Sequence, residues 1–165
     1  MTNPWDNSNN KWHYRFLSMA EGVSEWSKDP SRGVGCVITS SKRLVLATGF
    51  NGLPRGIEDK SERLERPVKY DLIVHAELNA LIQCARNGVS TVGATIYSTF
   101  FPCIRCTVGI IQSGAKEVVS YETPKNENPE WIQSINKSYE LLNESGIKYQ
   151  LLPRKPKNIP DITAT

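Results

Sequence analysis

The chain has 165 residues and a mass of 18.5 kDa, with 39% hydrophobic and 22% charged residues, enough for one well-cored domain and short for two. Its 20 Lys and Arg nearly balance 17 Asp and Glu, and apolar residues are spread throughout, which excludes wholesale disorder. No apolar run approaches the roughly 20 residues of a membrane-spanning helix. The start, MTNPWDNSNNKWHYRF, has neither the basic opening nor the apolar stretch of a secretory signal, so the expectation is a cytoplasmic protein. In a reducing compartment Cys36, Cys84, Cys103 and Cys106 are read as thiols or metal ligands rather than a disulfide framework.

In chain order, residues 11–27 place Trp12, Phe16, Met19, Ala20 and Val23 at helical spacing before Pro30 ends the pattern, which predicts an amphipathic helix. GVGCVITS and RLVLATGFN follow as two β-branched runs around a short polar turn, an antiparallel hairpin. Residues 53–74 break the pattern: 10 of the 22 are charged, and Pro54, Gly56 and Pro67 interrupt any period. A connection of that length is a lid, a binding loop or disorder.

Regularity then returns. HAELNALIQCARNG reads as a helix closed by Gly88, ATIYSTF as a strand, CIRCTVGIIQSG as a helix ending at Gly114, and EVVSYE as a strand. PEWIQSINKSYELLNESG carries Ile132, Ile135, Tyr139 and Leu142 at helical spacing, with Gly146 as its stop, and KYQLLP is a final strand. A helix between the last two strands makes a crossover, so those strands are expected to be parallel. The prediction is an α/β fold, a three-layer α/β/α sandwich on a mixed sheet of about five strands. Residues 1–152 are expected to form one catalytic domain with 53–74 as a charged insertion, a candidate regulatory loop, and 153–165 a tail. That tail holds Arg154, Lys155 and Lys157 against Asp161, leaving a net charge of only +1 on residues 1–152. A polynucleotide partner, which calls for a basic face, is therefore not expected, nor is a membrane.

Two short motifs carry chemistry. His75-Ala76-Glu77 and Pro102-Cys103-Ile104-Arg105-Cys106 stand at the predicted starts of two successive helices around one strand. Alone, each is weak, since a CxxC serves redox pairs and structural zinc as well. Together they match H-x-E…P-C-x-x-C, a signature already established for zinc-dependent nucleobase deaminases. One imidazole and two thiolates give zinc three ligands and leave a fourth position for water, as catalytic sites do. A helix N-terminus stabilises thiolate at Cys103 and Cys106, and proline is tolerated there. Glu77 need not coordinate; as general base and acid it would move protons from water to a ring nitrogen and to departing ammonia. A structural zinc and a redox CxxC stay open at this point. Cys36 and Cys84 read as core packing, as does His13, while Arg105 suits a thiolate, an anionic substrate or plain solvent.

SKDPSRGVGCVI (27–38), GFNGLPRG (49–56), HAELNA (75–80) and TFFPCIRC (99–106) resemble, in order and spacing, the motifs of the deoxycytidylate deaminases, within the wider cytidine deaminase superfamily. The resemblance covers most of the chain. It implies hydrolytic deamination of dCMP to dUMP and ammonia, feeding dTMP synthesis, with zinc on His75, Cys103 and Cys106 and Glu77 as proton shuttle. It further implies a substrate pocket including Asn51, which would bond the deoxyribose, and Ala76, with Phe101 or Tyr121 stacking on the base. Many members of the family are similar in being homohexamers activated by dCTP and inhibited by dTTP, as Mg2+ complexes, at a site apart from the zinc. On this chain that site would draw on Asp29, Arg32, Asn51, Gly52 and Glu62. Cys36 stands where many relatives carry Ala, a small-for-small departure. Two rivals stay open: a deaminase of another cytosine or adenine substrate, in tRNA or single-stranded DNA, and a non-catalytic, zinc-stabilised nucleotide-binding scaffold.

Overall fold

The computed structural model describes residues 8–125 and 127–154. The elements in chain order are α1 (Ser8–Ser24), β1 (Gly35–Thr39), β2 (Val45–Phe50), a 3-10 turn (Ser61–Arg63), α2 (Lys69–Leu72), α3 (Ala76–Arg86), β3 (Thr95–Ser98), α4 (Ile104–Gln112), β4 (Glu117–Tyr121), α5 (Pro129–Ser145) and β5 (Lys148–Leu152). The five strands form one sheet in the order β2-β1-β3-β4-β5. β1 runs antiparallel to β2 and β3, whereas β3, β4 and β5 are mutually parallel. The expected parallel end of the sheet therefore holds, and it extends by one strand because α4 forms a second crossover.

Alternation along the strands sorts side chains onto two faces. Cys36, Ile38, Ile96 and Val118 turn toward α3, α4 and α5, joining Ala80, Cys84, Ile110 and Leu142 in the larger core. Val37, Tyr97, Val119 and Tyr121 turn the other way, onto Tyr14, Phe16, Leu17 and Ala20 of α1. The result is the three-layer α/β/α sandwich anticipated from the pattern. Met19 departs from it: at 44% exposure it lies off the buried stripe of α1, which runs through Tyr14 and Leu17 instead.

Two glycines set how closely the helices approach. A Cβ on Gly35 would come within 1.9 Å of the Ala20 carbonyl oxygen, and one on Gly49 within 2.4 Å of the Ala76 oxygen. Only a residue without a side chain lets α1 lie on β1 and the first turn of α3 lie on β2. Gly88, Gly114 and Gly146 adopt positive φ just past the ends of α3, α4 and α5, as the sequence pattern predicts.

The charged segment 53–74 is less irregular than expected. The 3-10 turn and α2 lie within it, and Gly52 pairs with Val74 across its base. Of the predicted tail, Pro153 accepts a hydrogen bond from the Tyr14 hydroxyl, while Arg154 pairs with Glu21 and donates to the Thr99 carbonyl. Residues 155–165 lie outside the described residues. Among the described residues no helix is long and apolar enough to cross a membrane.

Candidate active site

His75 and Cys103 each occupy the residue preceding a helix, α3 and α4 respectively, in extended backbone. Their carbonyls accept the first turn's N–H groups, from Asn79 at 2.8 Å and Thr107 at 2.9 Å. Both helix starts converge on one point at the end of the sheet. His75 Nδ1 lies 3.4 Å from Cys103 Sγ and 3.5 Å from Cys106 Sγ. The three donor atoms stand within 4.8 Å of one another, the one such cluster among the described residues. A nitrogen and two sulfurs, largely buried and this close, fit a zinc ion that keeps a further position open toward the cavity.

The electrostatics suit metal-binding thiolates. The hydrogen bond from Cys106, followed by the contact with His75, outweighs burial and holds Cys103 down to about 4. The same bond, seen from Cys106, together with burial, pushes that thiol up. His75 rises through its bond to Cys103 against the opposing effect of burial. The cluster thus keeps one thiolate and an imidazole that favours its proton until a cation replaces that proton.

Glu77, in the first turn of α3, is 4% exposed. The hydroxyl of Ser98, on β3 and fully buried, donates to its Oε1 at 2.8 Å. Burial, and then the charge at Cys103, raise the carboxyl above its ordinary value. Ser98 pairs with Cys36 in the β1–β3 register, on the sheet face that turns toward α3. Nothing in the local pattern around Ser98 marks this role, which comes from that register alone.

His75, Ala76, Glu77 and Cys103 line the floor of a cavity of about 450 Å³. α5 steadies this floor from outside: Ser134 accepts the Ile104 N–H at 3.0 Å, and Ser138 donates to the Pro102 carbonyl at 3.0 Å. The rim comes from three separate segments, the 27–34 loop, the charged segment around Lys69, and residues 127–131. Lys69 is 6% exposed and donates to Asp29 and Ser31, both at 2.8 Å. Arg32 pairs with Glu127 at 2.7 Å.

Asn51 lies on the cavity, yet its amide faces the loop beside it. Its Oδ1 accepts the Val34 N–H at 2.7 Å, and its Nδ2 donates to the Arg32 carbonyl at 2.9 Å and more distantly to Asp29. Both amide hydrogens are thus engaged by the protein, and Asn51 acts here as a brace for the 27–34 loop. The stacking candidates need correction as well. Tyr121 does not line the cavity, because its position in β4 turns it to the α1 side, beneath the Arg154 guanidinium. Phe101 borders the cavity, but it is 1% exposed and its ring packs on Tyr139 and Tyr149. The rings next to the cluster are Trp131, 6.0 Å from His75, and Phe100, edge-on to Trp131 at 5.9 Å.

The residues expected to form a separate regulatory site divide. Asp29, Arg32 and Asn51 border the same cavity as Glu77. Gly52 is held by its bridge to Val74, and Glu62 stands exposed on the 3-10 turn, neither of them on that cavity. These five residues therefore do not share that one cavity. Arg105 is exposed on the cavity wall. Cys36 and Cys84 are core residues, and His13 packs against Tyr97, bonded to its hydroxyl at 3.0 Å.

Residues 10–122 match the family model of the cytidine and deoxycytidylate deaminase zinc-binding region. The chain belongs to that deaminase family. It is 40% identical over 143 residues to an uncharacterized deaminase in the luxG 3′ region of Aliivibrio fischeri, covering 87% of this chain and 95% of that protein. With the deoxycytidylate deaminase of Homo sapiens it shares 29% identity over 158 residues, 92% of this chain and 85% of the other. In fold it is similar to the dCMP deaminase of cyanophage S-TIM5 in complex with dCMP and dUMP, with a TM-score of 0.70 at 23% identity over 92% of this chain and 100% of that one.

Proposed function

We propose that this deaminase hydrolyses dCMP to dUMP and ammonia. The observation that carries the reading is the Glu77 carboxylate, buried and bonded to Ser98 beside the His75–Cys103–Cys106 cluster on the floor of an open cavity. A purely structural metal site has no use for such a carboxylate. Named relatives support the substrate: the human protein carries the name deoxycytidylate deaminase, and the phage enzyme of like fold holds dCMP and dUMP.

His75, Cys103 and Cys106 would hold a zinc ion, which would supply the Lewis acid that makes water nucleophilic at neutral pH. The chain's own part is proton transfer and placement. Glu77 takes a proton from the attacking water and delivers it to N3 of the cytosine ring, then takes the remaining proton from the new C4 hydroxyl and passes it to the departing amine. One C–O bond forms at C4, one C–N bond breaks there, and water is consumed as ammonia leaves. Ser98 holds Oε1, so the second carboxylate oxygen is the one that works. Trp131 and Phe100 offer ring surfaces to the base. Asn51 keeps the 27–34 loop in place against it.

The finer parts of the reading are dCTP activation and dTTP inhibition, as Mg2+ complexes, in a cytoplasmic homohexamer. Four buried thiols suit a reducing compartment, and the exposed apolar side chains of Leu78, Ile82 and Val108 suit assembly.

Zinc-loaded protein is to be given dCMP, deoxycytidine, an anticodon stem-loop and single-stranded DNA in parallel, with uracil product and ammonia measured. Preferential dUMP formation is expected. Turnover of a polynucleotide but not dCMP would replace the substrate, and no turnover at one zinc per chain would leave the scaffold. Velocity curves with dCTP and dTTP, and sedimentation, test regulation and assembly.

A further inference from the structure

Two ion pairs border the cavity, and they differ in kind. Lys69 and Asp29 are both 7% exposed in their side chains. Lys69 is also bonded to Ser31, and Asp29 accepts the Ser31 N–H and a long bond from Asn51, so each partner is tied several ways. The Arg32–Glu127 pair is lopsided. Glu127 is 9% exposed and also accepts the Asn128 N–H at 3.1 Å, whereas Arg32 is 44% exposed. A guanidinium has five N–H donors, and a single bond, from Nη2 to Glu127 Oε2, joins it to the carboxylate.

Arg32 also caps a row of rings that leads to the metal-ligand cluster. Its guanidinium lies 4.3 Å from the centre of Phe100, Phe100 meets Trp131 at 5.9 Å, and Trp131 meets His75 at 6.0 Å. A cytosine with C4 at the cluster can be placed along that row, beside Trp131 and Phe100. A 5′-phosphate directed back toward the rim would meet Arg32, which carries unused donors there; Arg66 and Arg105 border the same cavity without lying on the row of rings. Phosphate presents more oxygens and more charge than one carboxylate contact, and a guanidinium binds it through two parallel bonds.

We infer that Glu127 is an internal stand-in for the substrate's phosphate: in the free protein its carboxylate holds the Arg32 guanidinium, and the 5′-phosphate of a nucleoside monophosphate displaces it. This rests on the nucleotide substrate proposed above. A free nucleoside brings no anion to exchange and gains nothing from Arg32. Arg32 thereby favours the monophosphate, while Glu127, as a latch, competes with the phosphate and keeps Arg32 stacked on Phe100 before substrate arrives.

The test uses metal-loaded full-length protein and calorimetric titration with dUMP and with deoxyuridine. Arg32→Ala should cut the ratio of dUMP to deoxyuridine affinity about tenfold or more, as loss of a charge-assisted pair does. Arg32→Lys, which keeps the charge without the fork, should fall between Arg32→Ala and the parent. Glu127→Gln should move the ratio the other way, raising it by about three- to tenfold, because the competing charge is gone. That gain should vanish in the double variant Arg32→Ala/Glu127→Gln. A pair that merely ties two segments together predicts loss of dUMP affinity in both single variants. Shifts of the same sign, or an unchanged ratio in Arg32→Ala and Arg32→Lys, would overturn the latch. If dCMP is turned over while the ratio stays unchanged, the activity stands and the latch fails. Opposite shifts in a protein that does not turn over dCMP would uphold the latch and overturn the proposed activity.

Discussion

The floor of the cavity and its rim are built in opposite ways. On the floor, His75, Glu77, Cys103 and Cys106 come from two short stretches, each at the first turn of a helix whose backbone bonds fix it. At the rim, Asp29, Lys69, Arg32 and Glu127 come from segments 40 and 95 residues apart and are held by ion pairs. Floor chemistry is therefore local and tolerates little change in residue type. Rim chemistry is assembled by the tertiary fold and is open to rearrangement when a ligand arrives.

The largest expected effect breaks the floor while leaving the rim intact. Glu77→Gln removes the proton carrier without touching the three metal-ligating atoms, so dUMP formation from dCMP should fall by about 10²- to 10⁴-fold, the usual contribution of a general acid–base group. Zinc measured by mass spectrometry should stay near one per chain. Loss of the metal with the activity would reassign Glu77 to the metal site. Cys103→Ala should do what Glu77→Gln does not and lose the zinc itself.

Next comes the strut of the rim. Lys69→Met leaves the buried Asp29 carboxylate without its cation, and removing one partner of a buried pair costs about 3–5 kcal/mol. Urea unfolding should show a drop of that order, with the zinc cluster still able to form. A change below about 0.5 kcal/mol would mean that Ser31 and the backbone N–H groups suffice for Asp29. A smaller effect belongs to the seam between sheet and floor. Gly49→Ala sets a methyl 2.4 Å from the Ala76 carbonyl oxygen, and overpacking of this kind costs about 1–3 kcal/mol. Because Ala76 lies between His75 and Glu77, the shift of α3 should also lower kcat more than it raises KM.

The same contrast explains what could be read in the sequence. Strand and helix periods, the glycine stops and the HAE and PCIRC motifs are short-range signals, and the order of elements and the donor cluster followed from them. Ser98 is invisible to such signals, because it reaches Glu77 only through its register against Cys36. Ser134 and Ser138 sit on the inward face of α5, where an apolar period skips them. Trp131 lies one residue off the expected stripe. Lys69 was hidden among nine other charged residues in 53–74, where nothing local separates a buried ammonium from solvated ones. Tyr121 was misplaced for a related reason: a position at a strand end says nothing about which sheet face the ring takes, and this one packs toward α1.

The smallest effect is a pH dependence that separates rim from floor. Asp29 is buried, which alone would raise its carboxyl, but the hydrogen bond from Lys69, the Ser31 N–H, the Lys69 charge and the Arg32 N–H together hold it below its ordinary 3.8. A carboxyl lowered by folding contributes stability that is fully present above its unfolded value, and that contribution is lost as pH falls through the folded value. Asp29→Asn lacks this dependence, since its amide does not titrate. The difference in unfolding free energy between the parent and Asp29→Asn should therefore be constant from pH 7 to about 5 and should shrink below about 4. Taking the difference cancels the metal site, whose ligands are the same in both proteins. If the gap instead widens on acidification, the Lys69 pairing does not stabilise the charged form of Asp29. The rim would then be held by neutral hydrogen bonds rather than by charge.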